Sequence, residues 1–318
     1  MNNNQNIEYF VINPDEREFS ANVITDDKLP LVSFCIPTKN NEATIGNCLQ
    51  SIVNQNYPNL EIIIVDGYSS DKTPSIVKKF TNKIFYETGK LGAARQKSID
   101  YSNGPIIALF DSDIVIPHKN WLINAVKFFN YSNKVSTVWP MNIAPPESPL
   151  MTRLYFNLWR VIIENRLKTG KGFLGGGNSL FLKKSLDDIG EINKNIHWGE
   201  DFDLAKKLNE KGFLVVYFTD PLYHDTMRTF KEFFYKQFTG ARTFSEYGFE
   251  LMGLSIKDIF YEHFMLGFSG MIRGLLFDRD ISWLYYPFLV YARLYAYVYT
   301  SLIKMSQRHE VIKNESKN

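Results

Sequence analysis

Between Leu31 and Phe110, short apolar runs of strand length alternate with stretches of helical periodicity, and few folds accommodate that order. The pattern predicts strands at Leu31–Ile36, Leu60–Val65, Lys83–Tyr86 and Pro105–Phe110. Between them it predicts a helix at Thr44–Gln55 with Ile45, Leu49, Ile52 and Val53 on one face, a turn and helix at Ser69–Phe80, and a helix at Leu91–Tyr101. His118–Asn130 and Val135–Trp139 continue the alternation. A continuous apolar run such as Leu60–Val65 belongs to a strand covered on both faces, as parallel strands are. The expected class is therefore α/β, with βαβ units around a mainly parallel central sheet.

After Pro140 the rhythm breaks. Pro145, Pro146 and Pro149 mark a loop, Met151–Leu167 reads as an amphipathic helix, and Gly175-Gly176-Gly177 precedes a short strand at Ser179–Leu182. Glu200–Lys211 is the next helix and Phe213–Phe218 the last strand. Three segments are expected: a polar leader or loose edge element over 1–29, a catalytic domain over 30–228, and a helical region over 229–318. With 318 residues the chain can bury one large core and carry an appendage. A net charge of +2 without a long basic stripe argues against a nucleic-acid partner. Cys35 and Cys48 fall on a predicted strand and a predicted helix face, which suits buried free thiols better than a disulfide. The polar start, Met1-Asn2-Asn3-Asn4-Gln5, lacks the apolar core of a signal peptide. A cytoplasmic protein is expected, free or peripheral on the cytosolic face of a membrane.

The region beyond Arg228 is rich in aromatic side chains. Phe230–Tyr247 sets Phe233, Phe234, Phe238 and Phe244 among lysines and arginines, and Ile281–Ile303 carries one charge, Arg293, beside Trp283 and a run of tyrosines. That second segment has the length of a membrane span, but Pro287, Arg293 and the tyrosines favour a helix lying in the headgroup layer. The rival reading is a helical subdomain packed on the core or in a homo-oligomer interface.

Chemistry is concentrated in Asp111-Ser112-Asp113, directly behind the apolar run Ile106–Phe110. In an extended segment residues i and i+2 point to one side, so both carboxylates are expected to converge. The carboxyl ends of strands are where an open α/β sheet binds its ligand. A divalent cation, Mg²⁺ or Mn²⁺, carrying diphosphate oxygens would satisfy that charge. The same spelling recurs at Asp201-Phe202-Asp203 and Asp278-Arg279-Asp280, neither behind a strand, so context selects the first. Strand ends at Pro37–Glu42 and Asp66–Thr73 contain no phosphate-cradling glycine loop, which excludes a dinucleotide or P-loop site there. Asp66 is placed either to accept a hydrogen bond from a base or to cap the turn that follows.

These pieces together resemble glycosyltransferase family 2, inverting enzymes of the GT-A fold with a single Rossmann-like domain. The resemblance rests on Ile36–Glu42, Val65–Thr73, Gly92-Ala93-Ala94-Arg95-Gln96, Phe110–Asp113, Gly175–Ser179, Trp198–Leu204 and His224, and covers about residues 31–228. It implies that Pro37, Thr38 and Glu42 line the nucleoside pocket and that Asp66 reads the base, usually uracil. It places Arg95 and Ser112 near the donor, with Asp111 and Asp113 holding the metal on the diphosphate and His224 as a further metal ligand. Glu200 and Asp201 resemble the family's acidic pair, with Asp201 as general base. Gly176, Gly177 and Trp198 are expected on the acceptor side, with a turn and core packing as their alternatives.

A nucleoside diphosphate leaves only when its growing charge is neutralised, and a sugar hydroxyl attacks only when a carboxylate takes its proton. Processive relatives carry Gln-x-x-Arg-Trp after the acidic pair, whereas Gln237–Arg242 has another spacing and no tryptophan. The expectation is one sugar moved from a nucleoside-diphosphate sugar, UDP-linked, to a hydroxyl on a glycan or lipid-linked glycan. Transfer to a polyprenyl phosphate is the alternative, and there a base has nothing to remove. A sugar nucleotidyltransferase would need a glycine-rich loop after the first strand, and a non-catalytic binding protein would not need these acids.

Overall fold

The computed structural model describes residues 9–12, 29–196, 199–248, 252–279 and 281–315. The chain divides into two compact units, Met1–Pro145 with Phe173–Asp225, and Pro146–Gly172 with Thr226–Asn318. The long helix Leu150–Thr169 thus goes with the C-terminal region, although it lies between strands of the first unit in chain order.

The first unit holds one sheet built from β1 (Tyr9–Ile12), β2 (Val32–Thr38), β3 (Leu60–Asp66), β4 (Ile84–Tyr86), β5 (Ile106–Leu109), β6 (Ile114–Val115), β7 (Val135–Ile143), β8 (Ser179–Leu182) and β9 (Leu214–His224). Its order is β1-β9-β7-β8-β5-β2-β3-β4, with β6 paired to β9. Strands β4, β3, β2 and β5 run parallel, as their βαβ connections require. Beyond β5 the sheet is mixed: β8 is antiparallel to both β5 and β7, while β7 and β9 are parallel.

Every residue of β2 is buried because both faces are covered. Phe34 and Ile36 face a core completed by α1 (Ile45–Val53), α2 (Thr73–Val77) and α4 (Trp121–Val126). Cys35 faces the opposite core, with Ile99 of α3 (Leu91–Asp100), Leu186 of α6 (Lys183–Ile189) and Leu204 and Leu208 of α7 (Glu200–Glu210). Both cysteines are free and buried, and burial pushes the Cys35 thiol up to about 12.

Three strands depart from the sequence reading. β7 runs on to Ile143 rather than stopping at Trp139. β9 runs on to His224 rather than stopping at Phe218. Pro221 sits where the register with β7 shifts, between Pro140↔Phe218 and Asn142↔Leu222. A bulge tolerates proline because no ladder donor is needed there. β6 is two residues long, too short to show any period. Within 1–29, the described parts are Leu29, which is buried, and β1, an antiparallel edge strand on β9.

The second unit is helical: α5 (Leu150–Thr169), α8 (Phe230–Tyr247), α9 (Ile256–Phe260), α10 (Leu266–Arg273) and α11 (Tyr286–Glu315). Wide π-type turns at Tyr261–Met265 and Gly274–Asp278 flank α10, and a 3₁₀ turn at Ile281–Tyr285 leads into α11. The segment 281–303 is therefore two elements, and Pro287 falls in the first turn of α11, where its missing N–H costs nothing. Among the described residues no helix is long and apolar enough to cross a membrane. The interior of this unit contains a two-pronged ion pair. Arg166 donates to both oxygens of Glu262 at 3.0 and 2.9 Å, with both side chains buried.

Candidate functional site

The acidic triplet leaves the end of β5 as a turn and not as an extended strand. The Ile114 N–H closes it on the Asp111 carbonyl at 3.3 Å. The two carboxylates still converge, and tertiary register adds the third group. β6 pairs with β9 so that Ile114 lies opposite His224, and the Asp225 N–H donates to the Asp113 carbonyl at 2.9 Å. His224 Nε2 consequently sits 3.0 Å from Asp113 Oδ1 and 3.9 Å from Asp111 Oδ2. One ligand atom from each of Asp111, Asp113 and His224 falls within 4.8 Å of the others, a mixed O/O/N set that fits a divalent cation.

Asp111 is held from three sides. Its Oδ1 accepts from Arg95 Nη2 at 2.7 Å and its Oδ2 from Asn178 Nδ2 at 3.1 Å. Its own N–H donates to Asn178 Oδ1 at 2.8 Å. Asn178 carries a left-handed backbone (φ 50°), which asparagine tolerates better than most residues, and its side chain is buried. The sequence reading gave Asn178 no role of its own. The signal available was an asparagine closing the glycine run Gly175–Gly177.

Arg95 ties the triplet to the start of α7. Its Nε donates to Glu200 Oε1 at 2.8 Å while Nη2 holds Asp111, and the guanidinium is buried. Burial opposes its charge, but Asp111 and then Glu200 outweigh that and raise its pKa. Its Nη1 has no partner among the described residues. Gly92 makes this placement possible, because a Cβ there would lie 2.3 Å from the Asn193 carbonyl oxygen.

Glu200 and Asp201 open α7 after Gly199, whose φ of 91° suits only glycine well. Glu200 is buried against Arg95, so of the acidic pair Asp201 is the member without an ion-pair partner at hydrogen-bond range among the described residues. Its Oδ1 accepts the neighbouring Phe202 N–H at 3.0 Å. Burial, and next the Glu200 charge, push the Asp201 carboxyl up to about 7, with Arg95 pulling the other way. Gly176 and Gly177 press against this residue. A Cβ on Gly176 would lie 1.7 Å from the Asp201 carbonyl oxygen, and one on Gly177 would lie 3.1 Å from Asp201 Oδ2. The close backbone approach at the glycine pair is thus made by Asp201 itself.

At the other end of the same strand edge, Thr38 and Asp66 are register partners on β2 and β3, and Pro37 pairs with Val65. Asp66 is buried, and its Oδ1 accepts from the Ser69 N–H and hydroxyl at 3.0 and 2.6 Å. Its Oδ2 and the Thr38 hydroxyl have no partner among the described residues. An unmet buried acceptor is costly, so this pair fits a site that a ligand N–H completes. Glu42 is exposed, and its carboxylate accepts the Lys72 N–H at 2.9 Å, so it caps the neighbouring loop. Ser112 is buried and accepts from Asn41 Nδ2, a second asparagine given no separate role by the sequence reading. Trp198 lies outside the described residues.

An α/β sheet whose carboxyl edge gathers a metal-fitting triad, a buried arginine and a carboxyl with a raised pKa defines a GT-A glycosyltransferase. The family described as glycosyl transferase family 2 matches residues 33–190. Among curated proteins, glycosyltransferase AglE of Haloferax volcanii is 26% identical over 220 residues, 66% of this chain and 71% of that protein. The Escherichia coli UDP-Glc:alpha-D-GlcNAc-diphosphoundecaprenol beta-1,3-glucosyltransferase WfgD is 34% identical over 105 residues, 30% of this chain and 38% of that protein. Among solved structures, the mannosyltransferase PcManGT from Pyrobaculum calidifontis, in complex with GDP-Man and Mn²⁺, matches with a TM-score of 0.58. That likeness covers 89% of this chain and 90% of that one at 16% identity, a likeness of fold. The chain belongs to glycosyltransferase family 2 and is an enzyme of that class.

Proposed function

We propose that this enzyme moves one sugar from a nucleoside-diphosphate sugar to a hydroxyl acceptor on a glycan or lipid-linked glycan, with inversion at the anomeric carbon. The observation that carries the reading is the gathering of Asp111, Asp113 and His224 within 4.8 Å at one sheet edge. Arg95 joins that cluster to the helix start that carries Asp201. Asp111, Asp113 and His224 would hold Mg²⁺ or Mn²⁺, which neutralises charge growing on the departing diphosphate. Mn²⁺ in the complex of the fold relative PcManGT supports a divalent metal. Asp66 Oδ2 and the Thr38 hydroxyl would complete their hydrogen bonding on the nucleoside. The UDP donor in the name of the relative WfgD supports UDP, and its diphosphoundecaprenol acceptor supports a lipid-linked sugar.

In the transfer the acceptor hydroxyl oxygen bonds to the anomeric carbon as its proton passes to Asp201. The carbon–oxygen bond to the diphosphate breaks, and its electron pair stays on the leaving oxygen. A carboxyl lifted to about 7 suits a base working near neutrality. Glu200 acts as a positioning group, anchoring Arg95. A base of this kind favours a hydroxyl acceptor over a polyprenyl phosphate, which is already ionised. The helical C-terminal region would hold the enzyme on the cytosolic face of the membrane, where lipid-linked acceptors reside.

Thermal melting with UDP and with GDP, each with and without Mn²⁺, tests the donor assignment. A nucleotide at a hundredfold excess over its Kd should add about 2.7 kcal/mol of apparent stability. The gain is expected for UDP with Mn²⁺ and should vanish in Asp113→Ala. A gain that is equal without metal, or intact in Asp113→Ala, overturns the metal-site reading.

A further inference from the structure

The segment from Ile256 to Leu284 in the second unit is packed inside out. Its small residues face inward: a Cβ on Gly267 would meet Val290 and Tyr286 at 3.1 and 3.3 Å, and one on Gly270 would meet Val161 at 3.0 Å. A Cβ on Gly274 would lie 2.0 Å from the Trp283 ring. Apart from the buried Ile259 and Trp283, many of its large apolar side chains face outward. Ile256, Phe260, Phe268, Ile272 and Leu276 are all exposed and recur at multiples of four residues, which makes one stripe along consecutive helical turns. The stripe ends in a strongly exposed group: Leu276, Phe277 and Ile281 are 66%, 77% and 72% exposed.

A water-facing helix surface carries charges, and this one carries almost none. From Ile259 to Ile272 the single carboxylate is Glu262, and it is buried against Arg166. Asp278, beside the exposed tip, is taken up by Arg160 and by the Trp283 indole N–H. Cations stand at the margins of the stripe, with Lys257 at its start and Arg279 near its end; Arg273 is paired with Glu164 at 2.6 Å, and Asp258 with Lys171 at 2.6 Å. Charge is also divided between the two units. The second has 17 Lys and Arg against 11 Asp and Glu, a net +6 within a chain whose total is only +2. Small residues toward the helix neighbours and large apolar residues outward is the order found where lipid replaces water. Basic residues bordering such a stripe suit an anionic headgroup layer.

We infer that the stripe Ile256–Leu276 and the tip Leu276–Phe277–Ile281 form the surface that enters one leaflet of an anionic membrane. This rests on the membrane-surface part of the proposal above and assigns it to one face. No covalent step is involved. Wedging exposed apolar side chains into a leaflet relieves their hydration, and the flanking cations add attraction that salt screens.

Flotation of the full chain with vesicles tests the assignment. Binding is expected to phosphatidylcholine vesicles containing phosphatidylglycerol, to weaken in high salt, and to be weaker still for phosphatidylcholine alone. Phe268→Ser/Ile272→Ser/Leu276→Ser should lower vesicle affinity by about tenfold or more. These side chains are exposed, so its melting shift with UDP and Mn²⁺ should match that of the unaltered chain. A second variant decides independently of stability. Cys35 and Cys48 are buried, so Phe277→Cys can be labelled alone. A polarity-sensitive dye there should shift to the blue on vesicles and be quenched by nitroxide lipids. Absence of vesicle binding by the unaltered chain, with donor binding intact, overturns this inference and leaves the catalytic reading standing. Self-association that the triple variant abolishes, with vesicle binding unchanged, would assign the face to a second copy of the chain instead.

Discussion

Each unit of the molecule buries an arginine against carboxylates, and the two arginines end in opposite electrostatic states. In the helical unit Arg166 meets Glu262 through two parallel hydrogen bonds, and the pair is neutral and closed. In the sheet unit Arg95 is shared between Asp111 and Glu200, with Asp113 and, above about pH 7, Asp201 adding further negative charge to the same site. One guanidinium cannot neutralise that set. The surplus is what a divalent cation would offset. Burial and pairing alone do not mark a functional arginine, and the uncompensated charge around it does.

The largest expected effect breaks the comparison on the catalytic side. Asp201→Asn should lower transfer by about 10²- to 10⁴-fold while sparing the melting shift with UDP and Mn²⁺. In the unaltered enzyme kcat/KM should rise with pH to a plateau above about 7, where the Asp201 carboxyl ionises. Full activity in Asp201→Asn, measured by donor consumption with acceptor present, would remove the base.

Next come the arginines themselves. Arg166→Met strands the buried Glu262 and should cost about 3–5 kcal/mol in denaturant unfolding, and Arg166→Met/Glu262→Leu should recover most of it. Arg95→Met should destabilise similarly, but no second substitution can restore transfer, because its partners Asp111 and Glu200 belong to the site. A folded Arg166→Met/Glu262→Leu protein without transfer would show that the closed pair matters to chemistry after all.

The smallest effect sharpens the charge argument. The folded pKa of Asp201, about 7, lies above its ordinary value of 3.8, so the folded state holds a proton that the unfolded chain has released. Stability from this group is therefore full at acid pH and is lost as pH rises from about 4 to about 7. Asp201→Asn should raise Tm at pH 8 more than at pH 5. An equal shift at both values would show that the site does not strain this carboxyl.

The sequence carried the sheet unit and, in the helical unit, α5 and α8, but not the elements from Ile256 to Arg273. Strands β2, β3, β5 and β8 lie within a residue or two of their expected places, because a strand covered on both faces is a continuous apolar run. The acidic triplet stood out because it follows a strand, whereas Arg95, Asp201 and His224 were singled out by the resemblance to the family. Asn178 and Asn41 did not, since an asparagine that holds a carboxylate or a serine looks the same in sequence as one that makes a turn. Ile256–Leu276 was illegible for another reason. Periodicity reveals that a helix has an apolar face but not which way that face points.

What the chain alone settled was the type of residue at each point: apolar runs for strands, acids at their ends, glycines where backbone is crowded. Those are local properties, fixed by side-chain chemistry and by spacing along one segment. Tertiary structure decided which of them meet. His224 reaches Asp113 only because β6 takes its register from β9, more than a hundred residues away in the chain. Arg95 reaches Glu200 only because Gly92 lets α3 close on the loop at Asn193. Pairing over such separations depends on the packing of whole elements, and no single segment contains that information.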